Sequence, residues 1–496
     1  MNLQDYFREG VVAPLGYSPN SSSIKPVHIT NGLCRAALGE YYDPKLLNHA
    51  LIRWAKKGTE ERHPTSDLIE DARDHLGDFA EPGRIGQLND LRELLKGVLG
   101  ADKAVFDKNE YCSYTLTHKT HVTRDSNDRD TGDFLYGVLA ADVGAGESPM
   151  LALIRELLSD ASDELSVVSL PLIQGVEPRE YDPAADEAPD SLALRRPAQG
   201  GGFKSHILRD IRKSFDTLAV FERANGSKLH SLRRLACFST FALYLHLTHR
   251  GLEYEDGRQY ATQRPLMLTD FTSSGWSAVA AASHASYNLA SKRIETLIQH
   301  GVREVLIREH RERWTGKQIE EFIGEIGLKG TQKKQDHVRA HFLEVFRSYS
   351  VGSTNLEALV NAIVDIMLEE LSGTPTDFAR ALGVCGGLLA PRGQRAVKKR
   401  YAPSPELLEV LLATCVEPGQ ELELSELSEI WRDRFGIVTG ALPGDSADLA
   451  KFSIMDATRE DLVGNANALR DTLIDIGYAR RYADGVTIIR LDRATK

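Results

Sequence analysis

Two histidines three residues apart, His118 and His121, are followed closely by Asp125, Asp128 and Asp130. Imidazole and carboxylate are donors that a divalent metal would use. On a strand, however, residues three apart face opposite sides, so joint ligation would need a loop. No thiolate accompanies them, and a solvated polar loop accounts for the same residues. No metal is assigned.

A second constellation is QGGGFKSHIL, in which Lys204-Ser205 opens a helix behind three glycines. A phosphate-binding loop requires G-x-x-x-x-G-K-[ST]. Phe203 stands where the last glycine belongs, and no apolar strand leads in. The segment reads as a flexible lead into a helix, and no nucleotide cofactor is expected.

His246 and His249, with His230, lie on or near one apolar helix and read as core histidines bonded to backbone. Glu222 follows LAVF and Asp270 follows PLMLT, so either acid could belong to a nuclease-like carboxylate cluster. Neither has a paired acid or a Glu-x-Lys on an adjoining strand. The chain has no G-x-S-x-G, no H-E-x-x-H and no dinucleotide fingerprint. No catalytic residue and no cofactor is assigned.

Charge gives the sharper signal. APRGQRAVKKRYAPSP carries Arg392, Arg395, Lys398, Lys399 and Arg400 without an acid, in a chain of net charge -11. Such a run is either a solvated linker or a contact for nucleic acid or an acidic partner. Arg480 and Arg481, near the end of the chain, are the other candidates. These seven cations are the expected nucleic-acid contacts, through phosphates and without sequence readout.

The elements that must position these residues follow from composition and periodicity. A chain of 496 residues, 42% hydrophobic and 26% charged, is a soluble globular protein of several domains. Its overall acidity argues against a surface coated by nucleic acid but leaves room for a local basic site. The five cysteines are scattered and form no C-x-x-C pair, which argues against a disulfide framework and for a reducing cytoplasm. MNLQDYFREG is too charged for a signal peptide. No apolar run reaches the ~18 residues of a membrane span.

The fold class expected is mainly α and multidomain. Residues 1–176 read as helical with a small mixed α/β part. Strands are expected in YCSYTLTHKTHVTRD and DELSVVSLPLIQG, and SPMLALIRELLSD is a helix capped by Ser148 with Pro149 in its first turn. Residues 177–202 are an acidic, proline- and glycine-rich linker. Residues 203–390 are a helical domain, and 391–402 a basic linker. The last unit, 403–496, is expected to fold alone. It opens with a helix capped by Ser404 and ends in a hairpin turning at Asp484-Gly485.

Three helices, a short strand and a terminal hairpin over about Pro403 to Leu491 resemble the winged-helix arrangement, with the hairpin as the wing. That resemblance implies DNA contact through the third helix. Yet residues 402–496 hold 17 acids and 10 bases, and the third helix carries Glu460, Asp461, Asp471 and Asp475 against Arg459 and Arg470. A groove-reading helix must attract phosphate, so protein contact and non-specific DNA contact both stay open. Two further blocks, PLMLTDFTSSGWSAVAAASHASYNLASKRIETLI and TPTDFARALGVCGGLLAPRGQRAVKKRYAPSPELLEVLLATCV, resemble helical accessory proteins of bacterial anti-phage defence or DNA-restriction operons. That likeness implies a non-catalytic assembly subunit working beside an ATPase or nuclease partner, away from membranes. The alternative is a nuclease or other hydrolase with its site in the middle region.

Overall fold

The computed structural model describes residues 2–19, 24–42, 54, 64–71, 81, 83–90, 92–93, 118–124, 126–141, 147–160, 162, 177–182, 205–225, 227–255, 264–272, 275–328, 330–371, 373–393, 398–483 and 485–491. They are mainly helical, with short strands. The helices used below are α1 (Pro26–Leu38), α2 (Thr131–Ala140), α3 (Pro149–Ser159), α4 (His206–Asn225), α5 (Lys228–Glu255), α6 (Ala278–Arg308), α7 (Gln332–Ser350), α8 (Asn355–Glu370), α9 (Pro375–Cys385), α10 (Pro405–Ala413), α11 (Leu424–Phe435), α12 (Asp445–Lys451) and α13 (Arg459–Asp475).

Local chemistry sets the helix starts. Ser148 Oγ accepts the Met150 N–H at 3.2 Å, and Ser404 Oγ accepts that of Leu407 at 3.3 Å, each ahead of a proline that needs no hydrogen-bond partner there. Helix α5 has no polar side along most of its length: Phe241, Leu243, Leu245 and Leu247 are all buried. Such a helix must be surrounded, and α1, α4, α6, α9 and α10 pack around it. Helix α6 begins with alanines and serines, which admit close neighbours. Where α1 crosses α2, Gly132 has no room for a side chain, since a Cβ there would lie 2.2 Å from the carbonyl carbon of Gly32.

The strands are tethers more than sheets. Glu40–Tyr42 (β1) pairs antiparallel with Pro178–Glu180 (β2). Met267–Leu268 (β3) pairs in parallel with Ile437–Val438 (β7). Leu389–Ala390 (β4) and Arg400–Tyr401 (β5) pair antiparallel and close the basic segment into a loop. Glu421–Glu423 (β6), Thr487–Arg490 (β9) and Ala479–Arg481 (β8) form a three-stranded antiparallel sheet in that order.

One apolar core runs from Leu3 to Leu491. The unit after Tyr401 shares it: Phe435 packs edge-on against Phe241 at 5.3 Å. Asn465, fully buried on α13, donates to Thr269 O and Thr439 O and accepts from Phe271 N–H, each at 2.8 Å. The last unit, expected to fold alone behind the 391–402 linker, meets the helical body at these points. The β3–β7 pairing, the Asn465 bonds and the shared aromatic core bind it to the helical body. Of the strand expected in 111–125, the described residues 118–124 form the short turn Lys119–His121 and no strand, because His118 accepts the Thr120 N–H and closes the turn; the rest of it, the strand expected in 163–175 and most of the 177–202 stretch lie outside the described residues. No helix among the described residues is long and apolar enough to cross a membrane.

Candidate nucleic-acid interface

The basic segment is not a string of solvated cations. Lys399 is 1% exposed, and its Nζ donates to the carbonyls of Pro391, at 2.6 Å, and Gly393. Burial, with Arg380 and Arg392 nearby, holds its ammonium below the ordinary lysine value. Arg400 Nε donates to Asp270 Oδ2 at 2.7 Å, and Asp270 also accepts from the Thr272 N–H at 2.9 Å and from the Thr272 hydroxyl. Arg392 donates to Leu389 O at 2.6 Å and Ala402 O at 3.3 Å, spanning the mouth of the β4–β5 loop. Of the expected phosphate contacts, Lys399 is thus buried on carbonyls, Arg400 is ion-paired, and Arg392 is anchored to the loop's own backbone. Arg395 lies outside the described residues. Lys398 remains on the surface, as do Arg480 and Arg481 on strand β8.

The segment docks on the first half of α6. Tyr401 N–H donates to Ser283 Oγ at 2.9 Å, His284 Nδ1 meets Lys399 O at 2.7 Å, and Lys398 Nζ sits 4.6 Å above the ring centre of Trp276. Below, the Tyr244 and Tyr401 hydroxyls bond at 2.9 Å, and burial pushes both phenols well above their ordinary value. The surface this creates has a property no single stretch reveals. Residues 271–294 contain no Asp or Glu, and neither do residues 378–405, in a chain holding 71 acids. The two acid-free stretches lie against each other. On the α6 side His284, Asn288 and Lys292 follow at helical spacing, with Asn288 and Lys292 exposed. Sequence reading missed Trp276, His284, Asn288 and Lys292. The acid-free runs were the available signal, but their adjacency is a tertiary fact.

A cleft of about 330 Å³ opens on the other side of Arg392, lined by His230, Arg233, Cys237, Cys385, Ser404 and Glu406 among others. Within it Glu406 stands 3.6 Å from Arg233. That carboxylate is held below its ordinary value by its own backbone N–H in the first turn of α10, by Ser404, and by the charges of Arg233 and Arg392.

The catalytic candidates do not converge. Glu222 is buried and bonded to Ser231 Oγ at 2.6 Å and to both Nε and a terminal nitrogen of Arg234, which also reaches Glu409 at 2.8 Å. Asp270 answers to a different guanidinium, that of Arg400. His118 caps the short turn Lys119–His121, and His121 is buried. Asp128 is bonded to Arg35 at 2.7 Å in the interior, and Asp125 lies outside the described residues. His246 stacks obliquely on Phe134 at 4.6 Å, and His249 faces Glu253 at 3.4 Å, both in the core. Among the described residues no group of three or more His, Cys, Asp or Glu could hold a metal ion. Phe203 and Lys204 lie outside the described residues.

No protein-family model matches the chain, and a search of curated proteins returns no match.

Proposed function

We propose that this protein is a non-catalytic assembly subunit of a cytoplasmic, DNA-related complex, of the kind found in bacterial anti-phage defence, working beside an ATPase or nuclease subunit. In this reading its C-terminal unit is a winged helix used for protein contact, and DNA is met separately, through phosphates. The element order supports the first part, with one short helix more than the three expected: α10, β6, α11, β7, α12, α13 and the β8–β9 hairpin, with the sheet ordered β6-β9-β8. The outward residues of α13 include Arg459, Glu460, Val463, Asn467, Asp471 and Asp475, in which acids outnumber bases. Phosphate would be repelled there, whereas the exposed Val463 and Met455 suit a protein surface.

The observation that carries the reading is the segregation of charge. An acidic chain keeps acids out of two stretches, 271–294 and 378–405, that meet at the first half of α6 and the β4–β5 loop, while helix α13 stays acidic. Glu222 and Asp270, the acids a nuclease reading would use, are held by Arg234 and Arg400 as ion pairs inside the fold.

Duplex binding measured by anisotropy across a salt series tests it. Replacing Lys292 and Lys398 by Ala should weaken binding on any sequence and lower the log–log salt slope by roughly one per lost phosphate contact. Replacing Arg480 and Arg481 should act in the same way. Replacing Arg459 and Arg470 should leave affinity unchanged. Loss of binding confined to the Arg459/Arg470 variant, with sequence preference in the parent, would overturn the assignment.

A further inference from the structure

We infer that Trp276 is a stacking platform for an unpaired base, so that the acid-free surface takes single-stranded nucleic acid in preference to duplex. The inference rests on the DNA contact proposed above and goes beyond it in naming the strand state. Trp276 is 46% exposed, at the entry to a 31-residue helix. An aromatic ring this large is normally buried. Trp276 instead stands on the surface, edge-on to the His284 ring at 5.6 Å, with the Lys398 ammonium 4.6 Å from its ring centre.

The two stretches that build this surface, 271–294 and 378–405, carry no carboxylate. Asn288 Nδ2 touches His284 Nε2 at 3.2 Å. One turn further along α6 stands Lys292, so the stripe from His284 to Lys292 runs about 12 Å along the helix. A ring to stack on, an amide and an imidazole for base edges or sugar, and ammonium groups at both ends are the parts of a sequence-tolerant single-strand site. Duplex DNA cannot use the ring, because its bases already stack on one another. The two ammonium groups would act on either strand state, since both carry phosphate. The indole face is the part that discriminates.

The experiment uses the full chain and anisotropy of labelled oligothymidine and of a mixed-sequence duplex. The parent should bind oligothymidine more tightly than duplex. Trp276→Ala should weaken single-strand binding roughly tenfold or more, in line with the loss of one stacked base, while duplex affinity stays in place. Trp276→Phe, which keeps an aromatic face, should recover most of the loss. An unchanged melting curve for Trp276→Ala separates stacking from unfolding, as expected for a half-exposed side chain. Duplex binding without single-strand preference, or single-strand binding indifferent to Trp276→Ala, overturns this inference and leaves the proposed phosphate contact standing. Binding to neither probe overturns both.

Discussion

Replacing Asp270 by Ala separates a structural carboxylate from a catalytic one. Its side chain is 1% exposed and accepts from Arg400, which is 18% exposed, as well as from Thr272. Removing one member of a buried, hydrogen-bonded ion pair costs about 3–5 kcal/mol, mostly because the other charge is left without its counter-ion. Water reaches part of Arg400, so a cost near the lower end, about 3 kcal/mol, is expected. That cost should fall where the pair sits. The Asp270 N–H donates to Tyr401 O at 2.7 Å, joining the chain after β3 to β5. Amide hydrogen exchange at 267–271 and 399–402 should accelerate roughly a hundredfold if local opening carries the loss. Combining Asp270→Ala with Arg400→Met should cost less than the sum of the two, with a coupling of about 2 kcal/mol. Exchange unchanged from the parent, or strictly additive variants, would refute the structural reading. A nuclease activity lost in Asp270→Ala without any change in exchange would restore the hydrolase alternative.

Gly132→Ala should be severely destabilising in a thermal melt, because its Cβ would lie 2.2 Å from the Gly32 backbone and the two helices must part. Gly464→Ala should instead stabilise by about 0.5–1 kcal/mol, since that helical position has nothing within 4 Å; equal effects would contradict the crossing geometry. Burial, with Arg250 and His249 adding to it, holds the His246 imidazole well below its ordinary value. The folded chain stays neutral there while the unfolded chain takes up a proton near pH 6.5, so stability should fall as pH drops, by up to about 1.4 kcal/mol per unit. His246→Phe should remove that share of the slope in urea midpoints compared between about pH 7.5 and 5.5, and an identical slope would count against it. A fragment beginning at Tyr401 uncovers Phe435 and strands Asn465 without Thr269 and Phe271. It should show no cooperative melt comparable to the intact chain, and a sharp independent transition would reinstate the last unit as autonomous.

The local rules reached far along this chain. Ser148-Pro149 and Ser404-Pro405 announced two helix starts, and both appear with the serine hydroxyl on a first-turn N–H. The apolar helix read around His246 and His249 became α5. The terminal strand–turn–strand pattern became β8 and β9. Capping, turn chemistry and periodicity act over a few residues, so they can be read without knowing what lies across the fold. The fate of the charges could not be read in this way. The run from Arg392 to Arg400 looked uniformly solvated, yet Arg400 found its carboxylate 130 residues earlier in the chain and Lys399 found carbonyls beneath its own loop. Glu222 and Asp270 looked like free acids until packing supplied Arg234 and Arg400. Trp276 acquired meaning only when a second acid-free stretch was laid beside it. A side chain's local sequence sets its charge and reach, but whether that charge meets water, a counter-ion or a ligand depends on which distant segment the core brings against it, and only the tertiary structure decides that.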